Sequence, residues 1–150
     1  MASGDGFVTV ADGTVRWGRY GAAGVLVRHR DADGIVRYFL QLRSPHSHQG
    51  GTWAIPGGAR NSDESPVEAA LREFAEEIGI VLPAHDVVDQ HEDDHGGWSY
   101  WTVVVDVAER FEPPPSLNWE TSDVAWVEAD RVHDLPLHPA FRATLSRLGG

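Results

Sequence analysis

The chain has 150 residues, of which 41% are hydrophobic, a length and composition suited to one domain with one buried core. Its formal net charge of −11 argues against a bare nucleic-acid-binding surface, because phosphate backbones are bound through Lys and Arg. It contains no cysteine, which excludes disulfides, zinc fingers and thiol catalysis. An acidic protein can still bind phosphates where divalent cations supply the positive charge.

The first residues lack the basic flank and apolar run of a signal peptide. No stretch approaches the roughly 18 consecutive apolar residues of a membrane helix. We therefore expect a soluble, cytoplasmic protein with a single domain over residues 1–150 and with neither a membrane nor a nucleic-acid partner. A homodimer is left open.

In chain order, the first half predicts three strands. The apolar run of small residues at 20–27 suits a buried strand. Residues 31–34 (DADG) are a strong turn signal, and 35–43 follows as the partner strand. After a loop-like stretch, a short strand is expected at 52–55.

The next element is a helix over residues 65–78. Pro66 suits its first turn, Gly79 is a good terminator, and Ser62 or Asp63 is the expected N-cap. Its apolar stripe follows spacings of three and four residues and consists of Val67, Ala70, Leu71, Phe74 and Ile78.

Three carboxylates lie on another face of this helix. At 100° per residue, Glu73, Glu76 and Glu77 fall within an arc of about 100°. Like charges at these spacings destabilise a helix. A cluster of this kind is tolerated where a cation is usually present, so the sequence predicts a cation site.

The second half predicts strands at 86–90, 99–107 and 124–128, followed by a terminal helix at 139–148 with Phe141, Leu145 and Leu148 on its apolar side. No internal repeat and no long linker divides the chain. Strands mixed with two helices indicate an α+β or α/β sandwich.

The helix and the loop before it carry a longer pattern. Residues 58–80 read GARNSDESPVEAALREFAEEIGI, which resembles the Nudix box G-x5-E-x7-R-E-U-x-E-E-x-G-U, where U is a bulky aliphatic residue. Phe74 departs from that pattern by being aromatic. The lead-in WAIPGG and the tail from residue 119 are also similar to Nudix proteins. The stretches WGRYGAAG, SHQGGTWAIPGGAR and LPLHPAF resemble an actinobacterial MutT-type subgroup.

The resemblance implies an α/β/α sandwich with a mixed β-sheet between helices. It also implies a Mg²⁺-dependent pyrophosphohydrolase, with Mn²⁺ as a substitute, in which water attacks the phosphorus of a nucleoside diphosphate-linked substrate. The MutT-type likeness favours a nucleoside triphosphate such as 8-oxo-dGTP, cleaved to monophosphate and pyrophosphate. ADP-ribose or another nucleoside diphosphate derivative is the alternative substrate, and a non-catalytic nucleotide-binding Nudix domain is the alternative class.

The same resemblance assigns roles to residues. Three helix carboxylates and one loop carbonyl are the implied metal ligands: Glu73, Glu76, Glu77 and Gly58. Arg72 is expected to pair with Glu64 and to brace the loop against the helix. Glu120 is the expected additional acid from outside the box, and the general base is either Glu73 or Glu120.

A competing motif occupies residues 91–95, HEDDH, which match the zinc-protease pattern H-E-x-x-H. That pattern requires both histidines on one face of a helix. The segment has no apolar stripe and stops at Gly96 and Gly97, so we expect a polar loop.

Other residues have two open interpretations. His46 and His48 are expected to be solvated loop residues, with contact to substrate phosphates as the alternative. Trp98 and Tyr100 share one face of a strand and Trp101 lies on the other. We expect at least one of the three in the core, with base stacking as the alternative.

Overall fold

The computed structural model describes residues 2–10, 13–46, 49–112, 117 and 121–148. The elements in these residues, in chain order, are β1 Phe7–Thr9, β2 Val15–Trp17, β3 Ala22–Arg30, β4 Val36–Arg43, β5 Trp53–Ala54, β6 Gly57–Ala59, α1 Pro66–Ile78, β7 His85–Asp94, β8 Ser99–Val107, β9 Thr121–Glu128, a short 3-10 helix Val132–Asp134, and α2 Pro139–Arg147. Among the described residues, no helix has the length and apolar character needed to cross a membrane.

A mixed seven-stranded sheet forms the centre of the molecule. β3 and β8 run parallel, and the remaining pairs are antiparallel. β8 occupies one edge of β3. On the other edge, β3 pairs with β6 through its first residues, Ala22 to Gly24, and with β4 through its last, Val27 to Arg30. The sheet therefore forks along β3, and β6 enters the fork.

Alternation along β3 divides the core into two layers. Val25 and Val27 pack against α1 on one face, where they meet Phe74 and Ile78. Leu26 lies on the opposite face, in a cluster with Val104 and with Phe141 and Leu145 of α2. The predicted α+β sandwich with a mixed sheet between helices is confirmed.

The predicted helix is present, but the predicted N-cap was wrong. The cap is Ser65, whose hydroxyl accepts a hydrogen bond from the backbone N–H of Glu68 at 3.1 Å. The Glu68 carboxylate accepts in return from the N–H of Ser65 at 2.9 Å. This reciprocal capping box needs Ser and Glu three residues apart, a spacing that Ser62 and Asp63 do not provide.

The polar loop predicted at residues 91–95 was also wrong, because β7 continues through Asp94. His91 is paired with Thr102 and Glu92 with Trp101 of β8. β7 is an edge strand, and polar side chains are favoured there because they discourage pairing with another chain. The histidines of the H-E-x-x-H pattern thus lie on or beside a strand and lack the helix that a zinc-protease site requires.

The aromatic cluster after this strand contributes to the core as predicted. Trp98 is buried, and its indole N–H donates to the carbonyl of Gly18 at 2.8 Å. Trp101 lies on the opposite face and packs against the α1 side of the sheet. This placement fixes the β1–β2 hairpin to the main sheet, because Val8 and Val10 pack in the same cluster as Trp98.

Removing the cap should destabilise the helix. We expect Ser65→Ala to lower the free energy of unfolding by about 1 kcal/mol, measured by chemical denaturation in chelator. The matched control is Asp63→Ala, which alters an exposed residue and should change stability by less than about 0.5 kcal/mol. Equal losses in the two variants would contradict the assignment of Ser65 as the cap.

Candidate active site

The acidic face of α1 lies against the loop that begins at the fork of the sheet. β6 adds to β3, the chain turns through residues 60–65, and α1 returns in contact with both strands. A methyl group built on Gly58 would lie only 2.5 Å from the carboxyl carbon of Glu73. The absence of a side chain at Gly58 thus lets the Glu73 carboxylate lie directly against the backbone of the loop.

Arg72 is the hub of the site. Its Nε and Nη2 atoms donate to the two carboxylate oxygens of Glu64 at 2.6 and 2.9 Å. Nη2 also donates to the carbonyl of Ala59 at 2.9 Å. Nη1 reaches Glu73 at 2.9 Å and Glu76 at 3.2 Å. One guanidinium thus connects Glu64 of the loop to Glu73 and Glu76 of α1. These simultaneous contacts require the planar fork of donors that Arg provides.

The neighbours of Arg72 have unequal electrostatic environments. Hydrogen bonding to Arg72 lowers the pKa of Glu64, whose carboxylate also accepts from the N–H of Asn61 at 2.8 Å. The pKa of Arg72 is raised, chiefly by the same bond. Burial raises the pKa of Glu73 in spite of its contact with Arg72. Glu73 is therefore a carboxylate whose negative charge is not fully compensated by the protein.

Glu77 points to a different set of donors. Its Oε2 accepts from the backbone N–H of Gly57 at 3.1 Å and from Nε2 of Gln41 at 3.4 Å. The buried hydroxyl of Tyr100 lies beside Gly57. A methyl group built on Gly57 would be only 2.8 Å from that oxygen. Burial raises the pKa of Tyr100, and the negative charge of Glu77 raises it further.

The donor set fits a hard divalent cation. Carboxylate and carbonyl oxygens are the ligands that such ions prefer, and the predicted ligands Glu73, Glu76, Glu77 and Gly58 supply only oxygen. The Glu73 carboxylate lies directly against the backbone of Gly58, so two of these oxygen donors are neighbours. Within the described residues, no three acidic or histidine side chains already converge on one point. Glu73 and Glu76 share Arg72, and Glu77 faces Gly57.

A cavity of about 350 Å³ opens beside Arg72, Glu73 and Glu76. Its other walls come from the loop, at Ala59 and Asn61, and from the N-terminal residues Ser3 and Asp5. The sequence had indicated the helix wall of this cavity. It had not indicated the N-terminal wall, because nothing local connects residues 3 and 5 to a helix seventy residues away.

The structure brings most of the predicted site residues together. Gly58, Glu64, Arg72, Glu73 and Glu76 form one contiguous group, and Glu77 is tied to it through Gly57.

The remaining candidates differ in what the structure says of them. Glu120 and His48 lie outside the described residues. The backbone N–H of His46 donates to the hydroxyl of Ser44 at 3.2 Å. Gln41 was missed, although a polar side chain at an inward position of a predicted strand is a usable signal, and this residue is buried.

Comparison with known proteins agrees with this geometry. A family model described as NUDIX domain matches residues 18–148. The chain belongs to the NUDIX family. The predicted Nudix hydrolase, and with it an enzyme acting on phosphoric anhydrides, is confirmed. Hydrolases of this family generally use a divalent metal.

Individual Nudix relatives cover nearly the whole chain. The crystal structure of RenU, a Nudix hydrolase from M. smegmatis, has a TM-score of 0.85 and 44% identity, covering 97% of this chain and 92% of RenU. A Mycobacterium tuberculosis protein with the provisional name 8-oxo-dGTP diphosphatase 3 is 44% identical over 153 residues, which cover 97% of this chain and 69% of the relative. The 8-oxo-dGTP diphosphatase of Proteus vulgaris is 40% identical over 78 residues, which cover 47% of this chain and 65% of that protein.

The hub position of Arg72 makes its substitution informative. We expect Arg72→Lys to lower Nudix hydrolase turnover by about 10- to 100-fold, because one ammonium cannot replace the fork that orients Glu64 and Glu73. Relative preference among nucleotides should not change. The measurement is kcat and KM for two nucleotides with each variant.

The matched control is Arg131→Lys, which alters an exposed residue paired with Glu128 at 3.5 Å. Its turnover should equal that of the wild type. If Arg72→Lys kept full turnover but changed nucleotide preference, Arg72 would have to contact the substrate instead of bracing the loop.

Proposed function

We propose that this protein is a magnesium-dependent pyrophosphohydrolase that converts a nucleoside triphosphate, with 8-oxo-dGTP as the leading candidate, to the monophosphate and pyrophosphate. The observation that carries the proposal is the acidic, oxygen-donor site on α1 in a chain 44% identical to a protein provisionally named for this reaction. The Proteus vulgaris relative, whose name assigns the same substrate, supports it.

In this proposal the cation is held by Glu73, Glu76, Glu77 and the carbonyl of Gly58. A bound divalent cation neutralises phosphate oxygens and thereby permits attack by water on phosphorus. The chain's own contribution is placement. Arg72 fixes the loop through Glu64 and Ala59, and Gly57 and Gln41 hold Glu77 at the edge of the site.

The net reaction consumes one water molecule. A bond forms between the water oxygen and phosphorus, the anhydride between the α- and β-phosphates breaks, and pyrophosphate leaves. The proton of the water requires an acceptor, for which Glu73 and Glu120 are the candidates. Glu73 lines the cavity beside Arg72, which supports its assignment.

We also propose that residues 1–150 form a single domain. Both helices pack on one central sheet, and the β1–β2 hairpin joins it through Trp98. No second core is present among the described residues that would separate one part of the chain from this sheet.

A nucleotide panel with controlled metal content tests the proposal. The substrates are 8-oxo-dGTP, dGTP, ATP and ADP-ribose, each assayed in chelator, with Mg²⁺, with Mn²⁺ and with Zn²⁺. We expect hydrolysis to fall by about 100-fold or more in chelator and to return with Mg²⁺ or Mn²⁺, because the acidic site cannot accept a polyphosphate without a cation. The highest kcat/KM should belong to 8-oxo-dGTP, with pyrophosphate as the released product.

The outcomes separate the alternatives. Preference for ADP-ribose would replace the substrate but keep the chemistry, whereas nucleotide binding without turnover would indicate a non-catalytic domain. Full activity in chelator would contradict the cation site. Glu73→Gln is the inactive control, and Asp130→Asn, at an exposed turn after β9, should match the wild type.

A further inference from the structure

Two buried polar side chains, Gln41 and Thr121, lie behind Glu77. Gln41 is 5% exposed and Thr121, the first residue of β9, is 6% exposed. The Thr121 hydroxyl donates to Oε1 of Gln41 at 3.3 Å, and Nε2 of Gln41 donates to Oε2 of Glu77 at 3.4 Å. A buried amide needs hydrogen-bond partners at both of its ends, and these two contacts supply them. The amide thus connects the start of β9 to the Glu77 carboxylate.

The chemistry of its two neighbours fixes the direction of the Gln41 amide. An ionised carboxylate only accepts hydrogen bonds, so the nitrogen end of the amide must face Glu77. The oxygen end then faces Thr121, whose hydroxyl can donate to it. Gln41 is therefore held in one orientation, with an N–H donor directed at Glu77.

An irregularity in the sheet brings Thr121 to this position. β4 and β9 keep one antiparallel register up to the pair of Leu42 and Asp123, but the next residue of β4, Arg43, pairs with Thr121. This shift by one residue has the form of a β-bulge. Alternate residues of a strand share a face, so the partner of Arg43 lies on the same face as Gln41. The shift thus turns the Thr121 side chain towards Gln41.

The Gln41 amide supplies one of two donors to the same oxygen of Glu77. The other donor to Oε2 is the backbone N–H of Gly57 at 3.1 Å. A carboxylate oxygen has two lone-pair sites, so these two hydrogen bonds occupy both sites of Oε2. A cation bound at Glu77 then meets Oε1, and the carboxylate acts as a one-oxygen ligand.

Ligation by one oxygen does not suit all divalent cations equally. Mg²⁺ is small and requires a near-ideal octahedral shell, in which each ligand group contributes a single oxygen. Ca²⁺ is larger, accepts a more flexible shell with more oxygens, and often takes both oxygens of one carboxylate. A carboxylate that can offer only one oxygen therefore favours Mg²⁺ over Ca²⁺.

We propose that Gln41 determines the cation selectivity of the site, because it restricts Glu77 to ligation by one oxygen and so favours Mg²⁺ over Ca²⁺. Gln41 is a positioning residue in this role, since it acts on the ion through Glu77. The inference rests on the proposed function in one respect, which is that Glu77 is a ligand of a divalent cation.

Cation binding to the metal-free protein tests the inference without turnover. The thermal midpoint is followed against the concentration of MgCl₂ and, separately, of CaCl₂, which gives a Kd for each ion. Gln41→Met keeps the length of the side chain but removes the amide, so Oε2 loses a donor and can also bind Ca²⁺. We expect the ratio of the Ca²⁺ Kd to the Mg²⁺ Kd to fall by about tenfold, the scale of one hydrogen bond to a charged group.

Two further proteins separate this effect from a loss of packing. Gln41→Met leaves the Thr121 hydroxyl without its acceptor, so the double variant Gln41→Met/Thr121→Val removes both polar groups and should show the same fall in the ratio. The matched control is Thr144→Val, which removes a buried hydroxyl that donates to the carbonyl of Ala140 within α2. Its ratio should equal that of the wild type. The midpoint of each variant in chelator checks folding.

A double-mutant cycle shows whether Gln41 acts through Glu77. In the Glu77→Gln background, Gln41→Met should leave the ratio of the two Kd values unchanged, because the carboxylate that Gln41 restrains is absent. A fall in the ratio of the same size in this background would overturn the inference.

The remaining outcomes distinguish failure of the inference from failure of the proposed function. Weakening of both ions by the same factor in Gln41→Met, or no change in either, would reject the selectivity but keep the cation site. Failure of both ions to bind the wild type would reject the cation site and the selectivity together. The expected fall in the ratio without turnover in the nucleotide panel would keep the selectivity and reject the proposed reaction.

Discussion

The contact between the Arg72 guanidinium and the acids around it is the interaction on which the site depends. Arg72 binds both oxygens of Glu64, joins the carbonyl of Ala59, and reaches Glu73 and Glu76 with its remaining donor. Loop and helix are thereby locked into one unit. A single cation cannot neutralise this many carboxylates, and burial leaves Glu73 with its pKa raised. The protein is thus built with a deficit of positive charge that a divalent cation can fill.

The fork in the central sheet explains why this unit forms where it does. β3 changes partner from β4 to β6 along one edge, which brings Gly57 beside Glu77 and Gly58 beside Glu73. Gly58 allows Glu73 to approach the backbone. The backbone N–H of Gly57 donates a hydrogen bond to the carboxylate of Glu77. Apolar packing of Phe74 and Ile78 holds the helix on the other side. Fold and site therefore use different faces of the same thirteen-residue helix.

Hydrophobic periodicity in the sequence predicted the elements whose pattern is local to one segment of the chain. The stripe ending in Phe74 and Ile78 and the acidic face of α1 follow from a period of 3.6 residues, and β8 follows from its apolar run. The β1–β2 hairpin was not predicted, because its strands have three residues each and carry the exposed Phe7 and Val15. The extension of β7 through Asp94 was missed because its pairing with β8, not its composition, makes it a strand. The contact of residues 2–5 with the loop depends on a partner about sixty residues away, which no local pattern records.

The central claim is that the acidic face of α1 is a cation site, and Glu77 tests it most directly. Its Oε2 accepts from Gly57, and the amide oxygen of glutamine can make the same bond without the charge. The measurement is the shift of the thermal midpoint between chelator and saturating Mg²⁺ for wild type and Glu77→Gln. A cation that binds only the folded state raises the midpoint of the wild type. We expect most of this rise to be lost in Glu77→Gln, with its midpoint in chelator unchanged or slightly higher because repulsion is relieved. An equal rise in both proteins, or a large fall in chelator, would contradict the account.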